Sequence, residues 1–183
     1  EREQQSRTVL QHWNLAEAAD YAQWFRTGSG LPKQPHAAGN FAIAATGDQA
    51  LTGIYPAAVY SHAVTAKHAA RLTSDDLLIR DDTELWVRVA GDADATVRYV
   101  VQDYPRNGTV YPVTRLSPQW RWQRFDLTYW SGDDVHIELT TASDAPLLVS
   151  RRPRSWFAIR EAMLVHKGGP PPFERTEFLA PVF

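Results

Sequence analysis

Two indoles separated by one residue, Trp120 and Trp122 around Arg121, have the clearest chemical use in this chain. In an extended segment alternate side chains share a side, so both rings project the same way. Flat aromatic faces of this kind stack on the apolar C–H side of a pyranose ring. A sugar also needs partners for its hydroxyls. The run Gln102-Asp103-Tyr104-Pro105-Arg106-Asn107-Gly108 offers an amide, a carboxylate, a phenol and a guanidinium in one connection between strands. Trp120, Trp122, Tyr104, Gln102, Asp103 and Arg106 are therefore the candidate ligand-binding residues. The competing use of such aromatics is as core or corner residues. Trp122 lies an odd number of positions from both Phe125 and Leu127, so strand parity puts it, with Trp120, on the face opposite their buried pattern unless a bulge intervenes. Trp130, in the connection that follows, reads as a rim aromatic.

A second candidate surface is the stretch from Tyr55 to His68, which carries Pro56, Tyr60, His62 and Lys67 and is too long for a hairpin turn. Its alternative use is to plug one end of the fold with Val59 and Tyr60. Arg151, Arg152 and Arg154 could grip sulfate or carboxylate groups, or simply form a solvated loop. Metal-binding cues are weak. His62 and His68 lack the helical i, i+4 spacing of a zinc pair, and Asp92-Ala93-Asp94 lacks the glycine and bidentate glutamate of a calcium loop and reads as a turn, as does Asp133-Asp134. Catalytic motifs are missing: there is no nucleophile elbow, phosphate loop or His-Glu-x-x-His. The expectation is a non-enzyme.

These residues need a scaffold, and its class follows from pattern. Of 183 residues, 44% are hydrophobic, enough for one sizeable core. A net charge of −2 removes the broad basic footprint of a nucleic-acid binder. With no cysteine, disulfides and thiolate metal sites are excluded, and no apolar run reaches the roughly 18 residues of a membrane span. Glu1 at the start and Met163 as the single methionine suggest a piece of a longer chain. Punctuation recurs every ten or so residues beyond Gly28-Ser29-Gly30, the spacing of short strands in a sandwich or barrel. Residues 85–90 and 95–101 alternate on either side of Gly91-Asp92-Ala93-Asp94 and read as a hairpin; Trp122–Thr128 and Val135–Thr140 read as a second pair. Trp156–Val165 is the last strand. Asn14 could cap one short helix at 14–17, between extended 8–13 and 21–26. The expected fold is all-β, an antiparallel two-sheet sandwich with at most a short helix, spanning 1–167, with a Gly/Pro-rich linker or tail over 168–183.

The order of pieces resembles the galactose-binding-like jelly rolls, a carbohydrate-binding-module-like superfamily. The residues that carry this are Gly39-Asn40-Phe41-Ala42-Ile43, Leu72-Thr73-Ser74, the 85–101 segment, Trp122-Gln123-Arg124-Phe125-Asp126-Leu127, Val135-His136-Ile137-Glu138-Leu139 and Trp156-Phe157-Ala158-Ile159. Arg160 stands where that superfamily often has an acidic residue, which weakens the case for its structural calcium ion here; no other cofactor is implied. Residues 20–145, through 53–62, Lys67-His68 and 101–106, also resemble an accessory module of secreted planctomycete-type multidomain cytochrome c proteins, without their Cys-x-x-Cys-His haem motif. The resemblance implies a non-catalytic carbohydrate-binding module of a larger secreted protein, working outside the cytoplasm, with a polysaccharide or oligosaccharide and flanking domains of the parent chain as partners and neither nucleic acid nor membrane insertion. The alternative is a structural spacer or docking module that packs on neighbouring domains.

Overall fold

The computed structural model describes residues 8–43, 51–106, 108–144, 154–169 and 171–172. Thirteen strands, a single α-helix and two short 3-10 turns make up the described elements. One sheet contains β1 (Val9–Asn14), β5 (Val59–Tyr60), β8 (Thr83–Gly91), β11 (Arg121–Asp126) and β13 (Phe157–His166), in the order β1-β13-β8-β11 with β5 also on β13. The other contains β2 (Phe25–Thr27), β6 (Arg71–Thr73), β7 (Leu77–Leu78), β9 (Thr96–Val101), β10 (Val113–Arg115) and β12 (Asp134–Thr140), in the order β10-β9-β12-β6-β2 with β7 on β12. A separate hairpin joins β3 (Asn40–Ile43) to β4 (Leu51–Tyr55). Every pairing is antiparallel. The expected all-β, two-sheet antiparallel sandwich with one short helix is the fold found.

The alternation expected for the central strands holds. Leu85, Val87 and Val89 of β8 and Val97, Tyr99 and Val101 of β9 are all buried in one core, together with Val135, Ile137 and Leu139 of β12. Their pairing differs from expectation. β8 bonds to β11 and β13, whereas β9 bonds to β10 and β12, so the two arms of the expected hairpin lie in opposite sheets and meet through the core. The same is true of β11 and β12. Two apolar faces satisfy burial equally well across a sheet pair or across a sandwich, and alternation alone does not choose between them.

The crossing at Gly91–Ala95 is tightly held. Gly91 N–H donates to the Ser117 carbonyl (2.8 Å) and Asp92 N–H to that of Trp156 (3.0 Å). Asp92 Oδ1 accepts from the N–H groups of Asp94 and Ala95 (both 3.1 Å), so the residues read as a turn do form one, between sheets. The helix, α1 (Ala18–Tyr21), begins after Glu17 rather than at Asn14, whose Oδ1 instead accepts from Ala16 N–H at 3.3 Å. Phe25–Thr27 is extended as expected, but Tyr21 closes the helix. Trp13 and Trp24 meet edge to face at 5.9 Å there. Trp130 is not a rim aromatic. It is buried, with its Nε1–H donating to Tyr99 Oη at 3.1 Å, because the 3-10 turn at Thr128–Trp130 folds it under the core.

A Cβ on Gly91 would lie 2.6 Å from the Trp156 carbonyl oxygen and 2.7 Å from Leu116 Cδ1. Gly91→Ala should therefore cost about 1–3 kcal/mol by overpacking a fixed crossing, read as a lower urea midpoint with an unchanged slope.

Candidate functional site

The outward face of the β1-β13-β8-β11 sheet changes character along its length. Toward one end it is charged: Arg124 donates to Glu84 (2.6 Å), Trp86 Nε1–H donates to the other Glu84 oxygen (3.0 Å), and the Arg88 guanidinium lies 5.8 Å from the Trp122 ring. Toward the other end the outward residues are small. Ala90 of β8 and Ala158 of β13, with Ala58, form a floor on which Tyr60, Trp120, Trp156 and Tyr55 pack as a second apolar cluster. Alanine at these positions leaves a full ring thickness above the sheet.

The rings there interlock edge to face. Tyr60 meets Tyr55 at 5.2 Å, His36 at 5.6 Å, His62 at 5.8 Å and Trp120 at 6.1 Å, and His62 lies 4.4 Å from Trp156. Three segments deliver them. The bridge between His36 and Ala58 ties the 31–39 loop to the strand that follows, β5 seats Tyr60 opposite Ala158, and the β3–β4 hairpin places Asn40 opposite Tyr55. Tyr60 Oη donates to the Pro56 carbonyl (2.7 Å), which fixes the ring. His36, Asn40, Phe41, Tyr55, Tyr60 and His62 line a cleft of about 370 Å³. Phe41 stands at its mouth, 56% exposed, while Tyr60 beneath is 4% exposed.

Burial sets the charge state of the cleft. Desolvation, reinforced by nearby His36, pushes His62 down to about 4, and His62 Nδ1 is sealed from solvent without a hydrogen-bond partner. His36 is also lowered by desolvation, partly offset by a hydrogen bond with the Ala58 backbone that favours the protonated ring. Burial pushes the Tyr60 phenol well above its ordinary range. At neutral pH the His36 and His62 imidazoles and the Tyr60 phenol are therefore uncharged.

The residues singled out in the sequence fall into two regions. Trp120 and Trp122 both stand on the outward face of this sheet, as parity implied. Trp120 backs Tyr60 and Trp122 lies beside Arg88 in the charged half. Trp120 and three residues of the 55–68 stretch, Tyr55, Tyr60 and His62, come together in one cluster, while Val59 lies in the main core. Gln102, Asp103, Tyr104 and Arg106 lie elsewhere, just beyond the end of β9 in the opposite sheet. Gln102 and Asp103 occupy the left-handed region (φ 52° and 54°), and Tyr104 N–H donates to the Val101 carbonyl (3.0 Å), giving a type I′ turn. Gln102 Nε2 donates to Asp133 (2.6 Å), and Arg106 lies 4.4 Å from the Tyr104 ring. Asn107, Arg151 and Arg152 lie outside the described residues; Arg154 is exposed. His36 and Asn40 were missed as site residues because a lone histidine and a strand-start asparagine carry no local signal, and Phe41 because it reads as one more strand aromatic.

No protein-family model matches the chain, and no curated protein matches it. Among solved structures it is similar to TmCBM61 in complex with β-1,4-galactotriose (14% identity, 80% of this chain and 90% of that one, TM-score 0.47). It is also similar to the glycoside hydrolase domain structure of Endo-D from Streptococcus pneumoniae R6 (15% identity, 81% of this chain but 22% of that one, TM-score 0.42). A third is a mutant of CBM29-2, a family 29 carbohydrate-binding module (11% identity, 91% and 99%, TM-score 0.39). None of these likenesses bears on what this chain binds.

The histidine depression makes a pH prediction. Unfolded His62 takes up its proton near its ordinary value of about 6.5, whereas folded His62 does so near 4. The unfolded state thus binds more protons in that window, and stability present above it is lost as pH falls through it. Denaturant unfolding measured from pH 7 to pH 4 should show this decline, and His62→Gln should flatten it.

Proposed function

We propose that the chain binds a saccharide in the cleft lined by Asn40, Phe41, Tyr55, Tyr60 and the two imidazoles, without catalysing its hydrolysis. The observation that carries this reading is a cleft of sugar size whose walls are aromatic and whose polar groups are uncharged. A neutral polyol presents C–H faces to Phe41 and Tyr55 and hydroxyls to Asn40 and the two imidazoles, and recovers inside the site the hydrogen bonds it gives up in water. Edge-to-face packing holds the walls in place before a ligand arrives, which lowers the ordering cost of binding.

Among the described residues that line the cleft there is no carboxylate. Glycoside hydrolysis ordinarily uses two, one as acid and one as base or nucleophile. The lining therefore favours holding a sugar over cleaving it. In this reading the chain acts as a non-catalytic binding module of a larger secreted protein outside the cytoplasm, with Trp120 as the support behind Tyr60.

Affinity gels and calorimetry with neutral and acidic polysaccharides test the proposal. At least one neutral glycan should bind weakly. Phe41→Ala and Tyr55→Ala should each weaken it by about 1 kcal/mol, roughly fivefold, with the far-UV spectrum retained, and Trp122→Ala should leave affinity unchanged. Retardation by no glycan, or full binding in Phe41→Ala, would overturn it; association with flanking domains instead would favour the docking alternative.

A further inference from the structure

The opposite sheet carries a second group of chemistry-bearing side chains. Asp76, Asp103 and His136 each offer one ligand atom, all within 4.8 Å of one another, and among the described residues this is the one group of three potential metal ligands. Three separate segments supply them: the β6–β7 connection, the type I′ turn after β9, and the outward face of β12. His136 Nδ1 lies 3.2 Å from Asp103 Oδ1 and 3.5 Å from Asp76 Oδ1.

We infer that these three residues form a zinc-class divalent metal site with three protein ligands and an open position. Two observations carry the inference, and neither depends on the saccharide reading. The first is spacing. A charge-assisted N–H···O bond closes to about 2.7–2.9 Å, and neither contact does so. Donors held about 2.0–2.1 Å from a tetrahedral zinc ion lie about 3.3–3.4 Å apart; the imidazole nitrogen stands 3.2 and 3.5 Å from the two carboxylate oxygens, and all three atoms lie within 4.8 Å of one another. The second is the donor set. An imidazole nitrogen with two carboxylates suits zinc and its neighbours, whereas calcium takes six to eight oxygens. This group is not a fit for the structural calcium ion that the resemblance leaves possible.

The surroundings agree with such a site. The His136 side chain is only 12% exposed, so its ring is fixed by the sheet, while Asp76 and Asp103 are exposed and can settle by tenths of an ångström. Asp103 is aimed by its left-handed turn, which Gln102 pins through its N–H to the Asp134 carbonyl (2.9 Å). Asp103 and His136 also line a groove of about 330 Å³ with Phe25, Arg71, Thr73 and Glu138. An open coordination position there would face the groove.

Calorimetry of the chelator-treated 183-residue chain with zinc alone, and the visible spectrum of its cobalt(II) form, test the site. One equivalent should bind, with a tetrahedral cobalt band and a rise in melting temperature that EDTA reverses. Asp76→Asn and Asp103→Asn, both at exposed positions, should each weaken zinc binding roughly 10–100-fold or more, without lowering the melting temperature of the metal-free protein. Asp75→Asn, which removes an equal charge from the adjacent residue, should bind zinc normally. Failure to bind zinc, or equal weakening by Asp75→Asn, overturns the inference, and neither result touches the saccharide reading.

Discussion

Everything in this molecule hangs on the interdigitation of inward-facing residues from strands that are neighbours in sequence but not in a sheet. Leu85, Val87 and Val89 in one layer and Val97, Tyr99 and Val101 in the other are separated by a five-residue crossing, yet they meet only through the core. Burial at about 25 cal/mol per Å² is non-directional and does not itself specify which sheet a strand joins. The crossing does. With Gly91 and Asp92 bonded to Ser117 and Trp156, the chain leaves the end of β8 only by passing over the edge of the sandwich. That geometry exposes the outer faces of both sheets, which is where the chemistry lies.

The two outer faces are held in different ways. On the sheet containing β9 and β12, a charged network spans three strands: Arg98 Nε donates to Glu138 (2.7 Å), and Arg71, bonded to Asp144 (2.9 Å), lies 3.8 Å from the other Glu138 oxygen. Arg98 and Glu138 are 3% and 5% exposed, so each carries a desolvation cost that the other offsets. Thr96 and Thr140 share a hydroxyl hydrogen bond beside them (2.9 Å). Such a face has fixed polarity and fixed register, suited to orienting His136 toward the two aspartates. On the other sheet the alanines leave room for rings, and that end of the face is aromatic, while its other end carries the Arg124–Glu84 pair.

Strand positions and facing were legible in the sequence because a period of two is imposed on every half-buried strand. The outward placement of Trp120 and Trp122 followed from that count, and so did the inward face of β12. Pairing was not legible. The run Gly91-Asp92-Ala93-Asp94 has the same turn chemistry whether it folds back within a sheet or crosses to the next, since Asp92 caps the same two N–H groups in either case. Trp130 misled for a related reason: its partner, Tyr99, lies in β9, far away in sequence. The grouping of His36 and Phe41 with Tyr60 depends on the His36–Ala58 bridge and on Tyr55 packing against Tyr60, contacts that no local pattern announces.

The alanine floor explains why the cleft can be both apolar and open. A larger side chain at Ala90 or Ala158 would occupy the space now taken by Tyr60 and Trp120, and the aromatic layer would lift away from the sheet. With alanine, the rings are anchored on one side by the sheet and on the other by one another, so the layer is a small second core rather than a set of surface rings. Such a core has one unavoidable open side, where it meets solvent at Phe41. His36 Nδ1 and His62 Nδ1 are buried there without hydrogen-bond partners, so the layer holds unmatched polar atoms beside its apolar rings, a cost that the edge-to-face packing of those rings must offset.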